Sequence, residues 1–365
     1  MDSIWDQANP QLRDLSIYEP GKPIEETARE SGLRIDQICK LASNENPLGP
    51  SPRARAAMQD ALAGANLYPD GGGFYLRRAL SEKLKFAPEC IILGNGSNEI
   101  IEFVGHAFLR PGAELVTSEN AFVAYRLVAS LFEVTTIEVA DREHRFDLDA
   151  IRQAITPRTR VVFIANPNNP TGTLVRQEAI DRFMASVPAD VVVVFDEAYF
   201  EYLNDPPDTL RFVREERNVV VLRTFSKIHA LANLRIGYGI ARPELIRVLQ
   251  KTREPFNTNG IAQTGALAAL TDDAHQAESK RINDEGRRYL EEQFTVMGLP
   301  FVPGVANFVL VRVGDGKAIF AALLRHGVIV RALGGYKFPE WVRITVGTME
   351  QNRKCIAALR EVLAA

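Results

Sequence analysis

Apolar residues come in short unbroken runs through the middle of the chain. The runs are ELVTS, VVFIAN, VVVVFDEA and NVVVLRTFS, which begin at Glu114, Val161, Val191 and Asn218. Continuous apolar runs are typical of strands buried on both faces, whereas strands with one face in water alternate apolar and polar residues. Helix-like stretches lie before and between the runs, for example at 53–63, 73–85 and 97–108. The pattern therefore predicts an α/β fold with a mostly parallel sheet between helices.

The two ends of the chain differ from this middle part. Residues 1–50 carry little periodic signal and many turn-forming residues, which indicates an extended arm. After about residue 255, a long helical stretch at 272–297 is followed by short strands, a helix and a final helix. We therefore predict an arm over 1–50, a large α/β domain over 51–255 and a smaller α+β domain over 256–365.

Composition and charge exclude several classes of protein. The 365 residues are 46% hydrophobic and carry a formal net charge of −3, which gives no electrostatic reason to expect a nucleic acid or membrane partner. The three cysteines form no CxxC pair and the N-terminus does not resemble a signal peptide, so we expect a cytoplasmic protein. The five histidines form no HxH or HExxH pair, so we expect no metal site.

Four polar stretches follow predicted strands. They are GNGSNE, NPNNPTG, DEAY and SK, at residues 94–99, 166–172, 196–199 and 226–227. Ligands of open parallel sheets bind at the carboxyl ends of the strands, so we expect these stretches to converge on one crevice. GNGSNE alone is also compatible with a capped turn, and it has Glu99 where a dinucleotide fingerprint needs its third glycine.

Together these stretches meet the requirements of pyridoxal phosphate. This cofactor needs a lysine for an imine, an acid facing its pyridine nitrogen and a cradle for its phosphate. Lys227 can supply the amine and Asp196 the acid. Asn169 and Tyr199 can donate to the phenolate oxygen, and Phe122, in ENAFVAY, can stack on the ring. The groups available to hold the phosphate are Gly96, Ser97, Asn98, Ser226 and Arg235.

The chain resembles the fold-type I aminotransferases that depend on pyridoxal phosphate and, within them, the histidinol-phosphate aminotransferase family. The motifs that carry this resemblance are SNENPLGPSP, YPDGG, GNGSNE, ANPNNPTG, DEAY, TFSK…LRIGYG and VRITVGT. The resemblance covers nearly the whole chain. It implies a central, mostly parallel seven-stranded sheet and a smaller α+β C-terminal domain. It also implies transamination between L-histidinol phosphate and 2-oxoglutarate, which yields imidazole acetol phosphate and L-glutamate in histidine biosynthesis.

The resemblance implies roles for side chains at the cofactor. Lys227 would form the Schiff base and act as general acid and base. Asp196 would pair with the pyridine nitrogen. Tyr199 and Asn169 would contact the phenolate, and Asn169 would also contact the substrate.

Further residues are implied at the substrate and between subunits. Arg343, in VRITVGT, would bind a substrate carboxylate or phosphate through its fork of donors. Tyr18, in IYEPGK, would close over the substrate. Tyr68, in YPDGG, would reach the phosphate of the neighbouring subunit's cofactor, which implies a homodimer.

The segment after Lys227 departs from the family pattern SKxxGLAGLR. Ala230 and Asn233 stand where relatives have glycines, and His229 stands where they commonly have an aromatic residue. His229 could reach the site or pack under it, and packing is favoured. These departures bear on substrate preference rather than on the cofactor.

Other functions compete with this interpretation. The main alternative is an aromatic aminotransferase acting on phenylalanine or tyrosine, because related enzymes share these motifs. A decarboxylase of a phosphorylated amino acid would need no oxo-acid acceptor. A non-catalytic regulator would normally carry a DNA-binding segment, and the arm has no helix-turn-helix pattern. An ATPase is disfavoured because the chain has no GxxxxGK[ST] loop, and a dinucleotide oxidoreductase because the third glycine is missing.

Overall fold

The computed structural model describes residues 4–13, 15 and 21–364. Its strands are β1 (Cys39–Lys40), β2 (Ile91–Gly94), β3 (Glu114–Ser118), β4 (Thr135–Val139), β5 (Thr159–Ala165), β6 (Val192–Asp196), β7 (Val219–Thr224), β8 (Gly237–Ile240), β9 (Phe301–Val302), β10 (Phe308–Arg312), β11 (Val328–Ile329), β12 (Arg331–Leu333) and β13 (Phe338–Thr345). Its α-helices are α1 (Ile4–Gln7), α2 (Ile24–Ser31), α3 (Pro52–Ala61), α4 (Phe74–Leu84), α5 (Ser97–Phe108), α6 (Ala124–Leu131), α7 (Leu148–Ala154), α8 (Gln177–Ser186), α9 (Leu210–Arg214), α10 (Pro243–Gln250), α11 (Gly260–Leu270), α12 (Asp273–Val296), α13 (Gly316–Arg325) and α14 (Met349–Ala364).

The largest sheet has seven strands in the order β2-β8-β7-β6-β5-β3-β4. Strand β8 runs antiparallel to both of its neighbours, and the remaining pairs are parallel. Every residue of β6 and β7 is buried, as expected for strands covered by helices on both faces. The prediction of an α/β fold with a mostly parallel seven-stranded sheet is confirmed.

One hydrophobic core surrounds this sheet. It joins residues of the strands to residues of α3, α4, α5 and α11, among them Ala54, Leu80, Ile100 and Ala266. Helix α11 lies very close to α3, since a Cβ atom at Gly265 would come within 2.8 Å of the Met58 sulfur. Small residues in α11 therefore allow the two helices to pack against each other. The predicted domain boundary at residue 255 stays a prediction.

A second sheet, antiparallel and in the order β12-β13-β10-β9, forms the C-terminal part of the structure. Its core includes Val311 and Ile344 from the sheet, Phe294 from α12 and Leu359 from α14. Strand β1 pairs in parallel with β11, and its residue Cys39 belongs to this same core. The chain that follows β1 therefore begins beside the core of the small sheet, and its residues Ser43 and Glu45 reach the cavity at the end of the large sheet.

Candidate active site

The four polar stretches lie at the carboxyl ends of β2, β5, β6 and β7, where they surround one cavity. A fifth segment, the chain that follows β1, closes it from the side of the small sheet. The lining residues are Ser43, Glu45, Ser97, Asn98, Phe122, Ala165, Pro167, Asn169, Asp196, Ala198, Tyr199, Thr224, Ser226, Lys227, Ala232 and Arg235.

Most of the residues singled out in the sequence come together in this cavity. Gly96 lies beside it, next to the guanidinium of Arg235. Arg343 lies behind Asn169, to which it donates a hydrogen bond. Tyr68 is 84% exposed and is not part of the cavity lining in its own chain. Tyr18 lies outside the described residues.

Asp196, the last residue of β6, is buried and lines the cavity. Its Oδ2 accepts a hydrogen bond of 2.8 Å from the Tyr125 hydroxyl. Its Oδ1 is buried and has no hydrogen-bond partner among the described residues. Burial raises the pKa of the carboxyl to about 6, against the Tyr125 hydrogen bond that lowers it. A buried carboxylate oxygen without a partner is costly, and a protonated ring nitrogen placed in the cavity would satisfy it.

Lys227 follows β7 and extends its amino group into the cavity. The Nζ atom donates to the backbone carbonyl of Ser43 at 3.3 Å and lies 5.6 Å from the centre of the Tyr199 ring. Burial, with a further contribution from the positive charge of Arg343, lowers the pKa of Lys227 to about 8. The neutral amine, which is the nucleophilic form, is therefore accessible near neutral pH.

An anion cradle lies at the start of α5. Gly96 has a φ of 78°, and a Cβ atom there would lie 2.4 Å from Nη2 of Arg235. Glycine thus permits both the turn and the close approach of the guanidinium. Nη1 of Arg235 donates to the Ser226 hydroxyl at 3.4 Å. A helix N-terminus, hydroxyl groups and a guanidinium together fit a phosphate.

Two further hydrogen-bond donors, Tyr199 and Asn169, line the cavity. The Tyr199 ring is buried, and its hydroxyl oxygen accepts a 2.9 Å hydrogen bond from Nδ2 of Asn44. Burial raises the pKa of Tyr199 to about 12, so its hydroxyl stays protonated. The Asn169 Oδ1 accepts from Arg343 at 2.5 Å, which leaves its amide N–H groups to donate elsewhere. These groups suit a phenolate oxygen.

Tyr125 is a site residue that the sequence analysis missed. Its ring stacks on Phe163 with centroids 4.5 Å apart, and it meets the edge of Phe122 at 5.8 Å. It therefore holds both Asp196 and the aromatic ring at the cavity wall. Phe122 precedes α6 and Tyr125 lies in its first turn, and the Tyr125 N–H donates to the Phe122 carbonyl, so the turn between them brings the two rings together.

Arg331 is a residue near Arg343 that the sequence analysis did not single out. It lies on β12 directly opposite Arg343 on β13, so the two side chains are on the same face of the small sheet. The register of the two strands creates this pair, and no local sequence pattern reveals it.

His229 lies next to the site but not in the cavity lining. The ring is buried and packs against Phe225 with centroids 4.8 Å apart. Burial lowers the pKa of His229 to about 3, so the ring is neutral. The next residue, Ala230, has a φ of 58°, in the region that favours glycine.

The described part of the chain contains neither a metal-binding cluster nor a helix that could cross a membrane. Within residues 4–13, 15 and 21–364, no group of three His, Cys, Asp or Glu side chains could hold a metal ion. In those ranges no helix is both long enough and apolar enough to cross a bilayer. Cys39, Cys90 and Cys355 are buried and free.

Comparison with known proteins gives consistent matches over nearly the full length. The family model for aminotransferase class I and II matches residues 36–359. A histidinol-phosphate aminotransferase of Akkermansia muciniphila is 53% identical over 362 residues, covering 99% of this chain and 100% of that protein. One of Moorella thermoacetica is 49% identical over 363 residues, covering 97% and 94%. The crystal structure of histidinol-phosphate aminotransferase from Sinorhizobium meliloti in complex with pyridoxal-5'-phosphate superposes with a TM-score of 0.91, at 27% identity and 98% coverage of both chains.

Proposed function

This chain belongs to the aminotransferase class I and II family and, within it, to the histidinol-phosphate aminotransferases, and we propose that it transfers the amino group of L-histidinol phosphate to 2-oxoglutarate. The fold is the fold-type I architecture of these enzymes. The observation that supports this substrate is the pair of guanidinium groups, Arg331 and Arg343, on adjoining strands, of which Arg343 donates a hydrogen bond to Asn169. Two guanidinium groups suit the doubly charged phosphate of histidinol phosphate, and each can also bind a carboxylate of 2-oxoglutarate.

The cofactor is pyridoxal 5'-phosphate, which when bound supplies an aldehyde to carry the amino group and a protonated ring to withdraw electrons from the reacting carbon. The residues present fit it. Asp196 would hold the ring nitrogen through its unpartnered Oδ1. Tyr199 and Asn169 would donate to the phenolate, and Phe122 would cover the ring. The phosphate would be held by Gly96, Ser97, Asn98, Ser226 and Arg235.

We assign a different role in the reaction to Asp196, to Lys227 and to the two arginines. Asp196 keeps a proton on the ring nitrogen by supplying a fixed negative charge in a buried place. The Lys227 amine, freed when the substrate amine takes its place, accepts a proton at Nζ from the carbon that bears the amino group and later returns one. Arg343, and with it Arg331, orient the substrate so that the bond to be broken faces Lys227.

Single-turnover spectroscopy tests this proposal. The protein loaded with cofactor and free of oxo acid is mixed with L-histidinol phosphate, and separately with L-phenylalanine and L-tyrosine. We expect fast conversion of the cofactor to its amine form with histidinol phosphate alone. Faster conversion with phenylalanine or tyrosine would favour an aromatic aminotransferase, and release of carbon dioxide a decarboxylase. If the protein took up no cofactor, the roles of Lys227 and Asp196 would be wrong.

Replacing Arg331 with glutamine should weaken use of histidinol phosphate. Loss of a hydrogen bond to a charged group costs about 1.5–3 kcal/mol, so kcat/KM should fall about 10- to 100-fold. The fall should be smaller with L-phenylalanine, which carries one singly charged carboxylate. Steady-state kinetics with both donors measures the difference.

Two further variants serve as comparisons for the kinetics of Arg331→Gln. Arg343→Gln should lower kcat/KM for every donor by orders of magnitude while the cofactor stays bound. Arg312→Gln removes an exposed ion pair with Glu340 on the same sheet, and should leave the kinetics unchanged. Full activity of Arg343→Gln would refute the assigned anion site.

The proposal includes a homodimer in which Tyr68 reaches the partner's cofactor phosphate. Tyr68 stacks on Phe256, and both rings are exposed at the surface. Other large apolar side chains between residues 62 and 75 are also exposed, namely Leu62, Leu67, Phe74 and Tyr75. A cluster of exposed apolar side chains is typical of a surface that is covered by another protein.

Mixing two defective variants tests the shared site. In a hybrid of Lys227→Ala and Tyr68→Ala subunits, one of the two sites combines an intact Lys227 with an intact Tyr68. After the subunits are exchanged by dilution and reconcentration, we expect activity to rise to about a quarter of the wild-type value per subunit. Activity that stays at the mean of the two parents would show that Tyr68 serves no neighbouring site.

We also propose that the protein acts in the cytoplasm. Its three cysteines are free and buried, which is the usual state of cysteines in a reducing compartment.

A further inference from the structure

Asn44 is a buried residue with polar contacts to both sheets. It is 1% exposed and lies in the segment that leads from β1 to the cavity. Its backbone N–H donates to the Thr345 hydroxyl, and its backbone carbonyl accepts from Nδ2 of Asn307, each at 2.9 Å. Its side-chain Nδ2 donates to the Tyr199 hydroxyl oxygen at 2.9 Å. Thr345 is the last residue of β13 in the small sheet, and Asn307 directly precedes β10 of the same sheet. Tyr199 instead follows β6 of the large sheet.

The side-chain hydrogen bonds form a chain in which Thr345 donates to Asn44 and Asn44 donates to Tyr199. The Thr345 hydroxyl donates to Oδ1 of Asn44 at 3.2 Å, so the amide presents its N–H groups to Tyr199. The Tyr199 oxygen acts as acceptor in that contact, and its single proton is left to point elsewhere. Tyr199 lines the cavity, so the proton can be directed into it. Chains of hydrogen bonds with one direction strengthen each other.

The backbone at this position also favours asparagine. Asn44 has a φ of 55°, in the left-handed region. Among residues with a side chain, asparagine and aspartate adopt this conformation most readily. An aspartate there would have no N–H to offer Tyr199, so of these two residues only asparagine meets both demands.

We propose that Asn44 is a positioning residue that aims the Tyr199 hydroxyl proton at the cofactor's phenolate oxygen. It also links that donor to the small sheet, because Thr345 lies two residues after Arg343 and on the same face of β13. Substrate held at Arg343 and the donor to the cofactor are thereby connected through one strand. The inference rests on the proposed function, in which Tyr199 donates to the phenolate.

The pH titration of the bound cofactor's visible absorption tests the proposal. A donor to the phenolate stabilises its charged form, so weakening that donor raises the pH at which the absorption changes. Asn44→Gly keeps the backbone conformation and removes the amide. We expect its midpoint to rise by about one unit, with kcat reduced more than KM is changed. Other charged or titratable groups that act on Tyr199, namely Arg343, Asp196 and Tyr336, remain in this variant.

Matched variants separate positioning from general damage. Asn46→Ala removes another buried amide, one that donates to the Ile228 carbonyl and the Ser279 hydroxyl, and should leave the midpoint unchanged. Thr345→Ser keeps the hydroxyl and should also leave it unchanged, whereas Thr345→Val should raise it in part. If Asn44→Gly proved unstable, Thr345→Val would carry the test alone.

The Tyr199→Phe background decides which hypothesis fails. Tyr199→Phe alone should raise the midpoint, and adding Asn44→Gly should then cause no further rise. Equal rises from Asn44→Gly in both backgrounds would show a structural effect and overturn the inference. If Tyr199→Phe shifts the midpoint but Asn44→Gly does not, the inference fails and the role of Tyr199 stands. If Tyr199→Phe causes no shift, the role of Tyr199 in the proposed function itself is wrong.

Discussion

Replacing Lys227 with alanine is expected to lower transamination by a factor of about 10⁴ or more, because it removes both the nucleophile and the general base. The variant should still bind the cofactor through the cradle at α5, but without a covalent bond. Borohydride reduction followed by peptide mass spectrometry measures this directly, since the wild type should gain the mass of the cofactor on the peptide that contains Lys227. Lys251→Ala, at an exposed position, serves as the control and should behave as the wild type does. Near-normal turnover by Lys227→Ala would refute its catalytic role.

The lowered pKa of Lys227 adds a pH dependence with a definite sign. Only the neutral amine attacks an aldehyde, so covalent attachment to the protein without cofactor should become faster as the pH rises through about 8 and level off above it. A lysine with an ordinary pKa would continue to gain up to about pH 10.4. Stopped-flow measurement of cofactor attachment between pH 6 and 10.5 distinguishes the two profiles.

Replacing Asp196 with asparagine is expected to lower kcat by about 10²- to 10³-fold, the usual cost of removing one preorganised electrostatic contact. The amide oxygen can still accept from Tyr125, so the geometry is kept while the negative charge is lost. Without that charge the ring nitrogen loses its proton and withdraws electrons poorly. Single-turnover rates and the spectrum of the bound cofactor measure the effect.

Two variants complete the Asp196 experiment. Asp196→Glu retains the charge and should recover part of the lost rate. Tyr125→Phe removes one hydrogen bond to the carboxylate and should cost about tenfold, which is less than Asp196→Asn. If Asp196→Asn kept the wild-type single-turnover rate, the carboxylate would have no part in the reaction.

Local sequence patterns predicted much of the fold. The run VVVVFDEA contains β6, whose residues are all buried, because β-branched side chains suit a strand covered on both faces. The stretch 97–108 forms α5. Residues 260–270 form α11, whose small side chains allow close packing on α3. A contact between helices of this kind cannot be read from the periodicity of one segment.

The parts of the site that escaped prediction depend on contacts between distant residues. Tyr125 reaches Asp196 across 71 positions, and Asn44 reaches Tyr199 across 155. Arg331 gains its place from the antiparallel register of β12 and β13. Single motifs identify the groups that act on a ligand, whereas the groups that orient them are set by how strands and loops meet in the folded chain.

The pairing of β1 with β11 has a consequence for the order in which the chain folds during synthesis. Asn44 meets Thr345 across 301 positions, and Cys39 is in register with Val328. A ribosome has therefore released nearly the entire chain before the segment from β1 to the cavity finds its partners. Until then the core that buries Leu41, which is 1% exposed in the finished fold, is incomplete. Contacts so far apart in sequence form slowly and leave apolar surface open in the meantime. We therefore expect the large sheet, whose strands end at Ile240, to form before the substrate site, which needs Arg343 on β13.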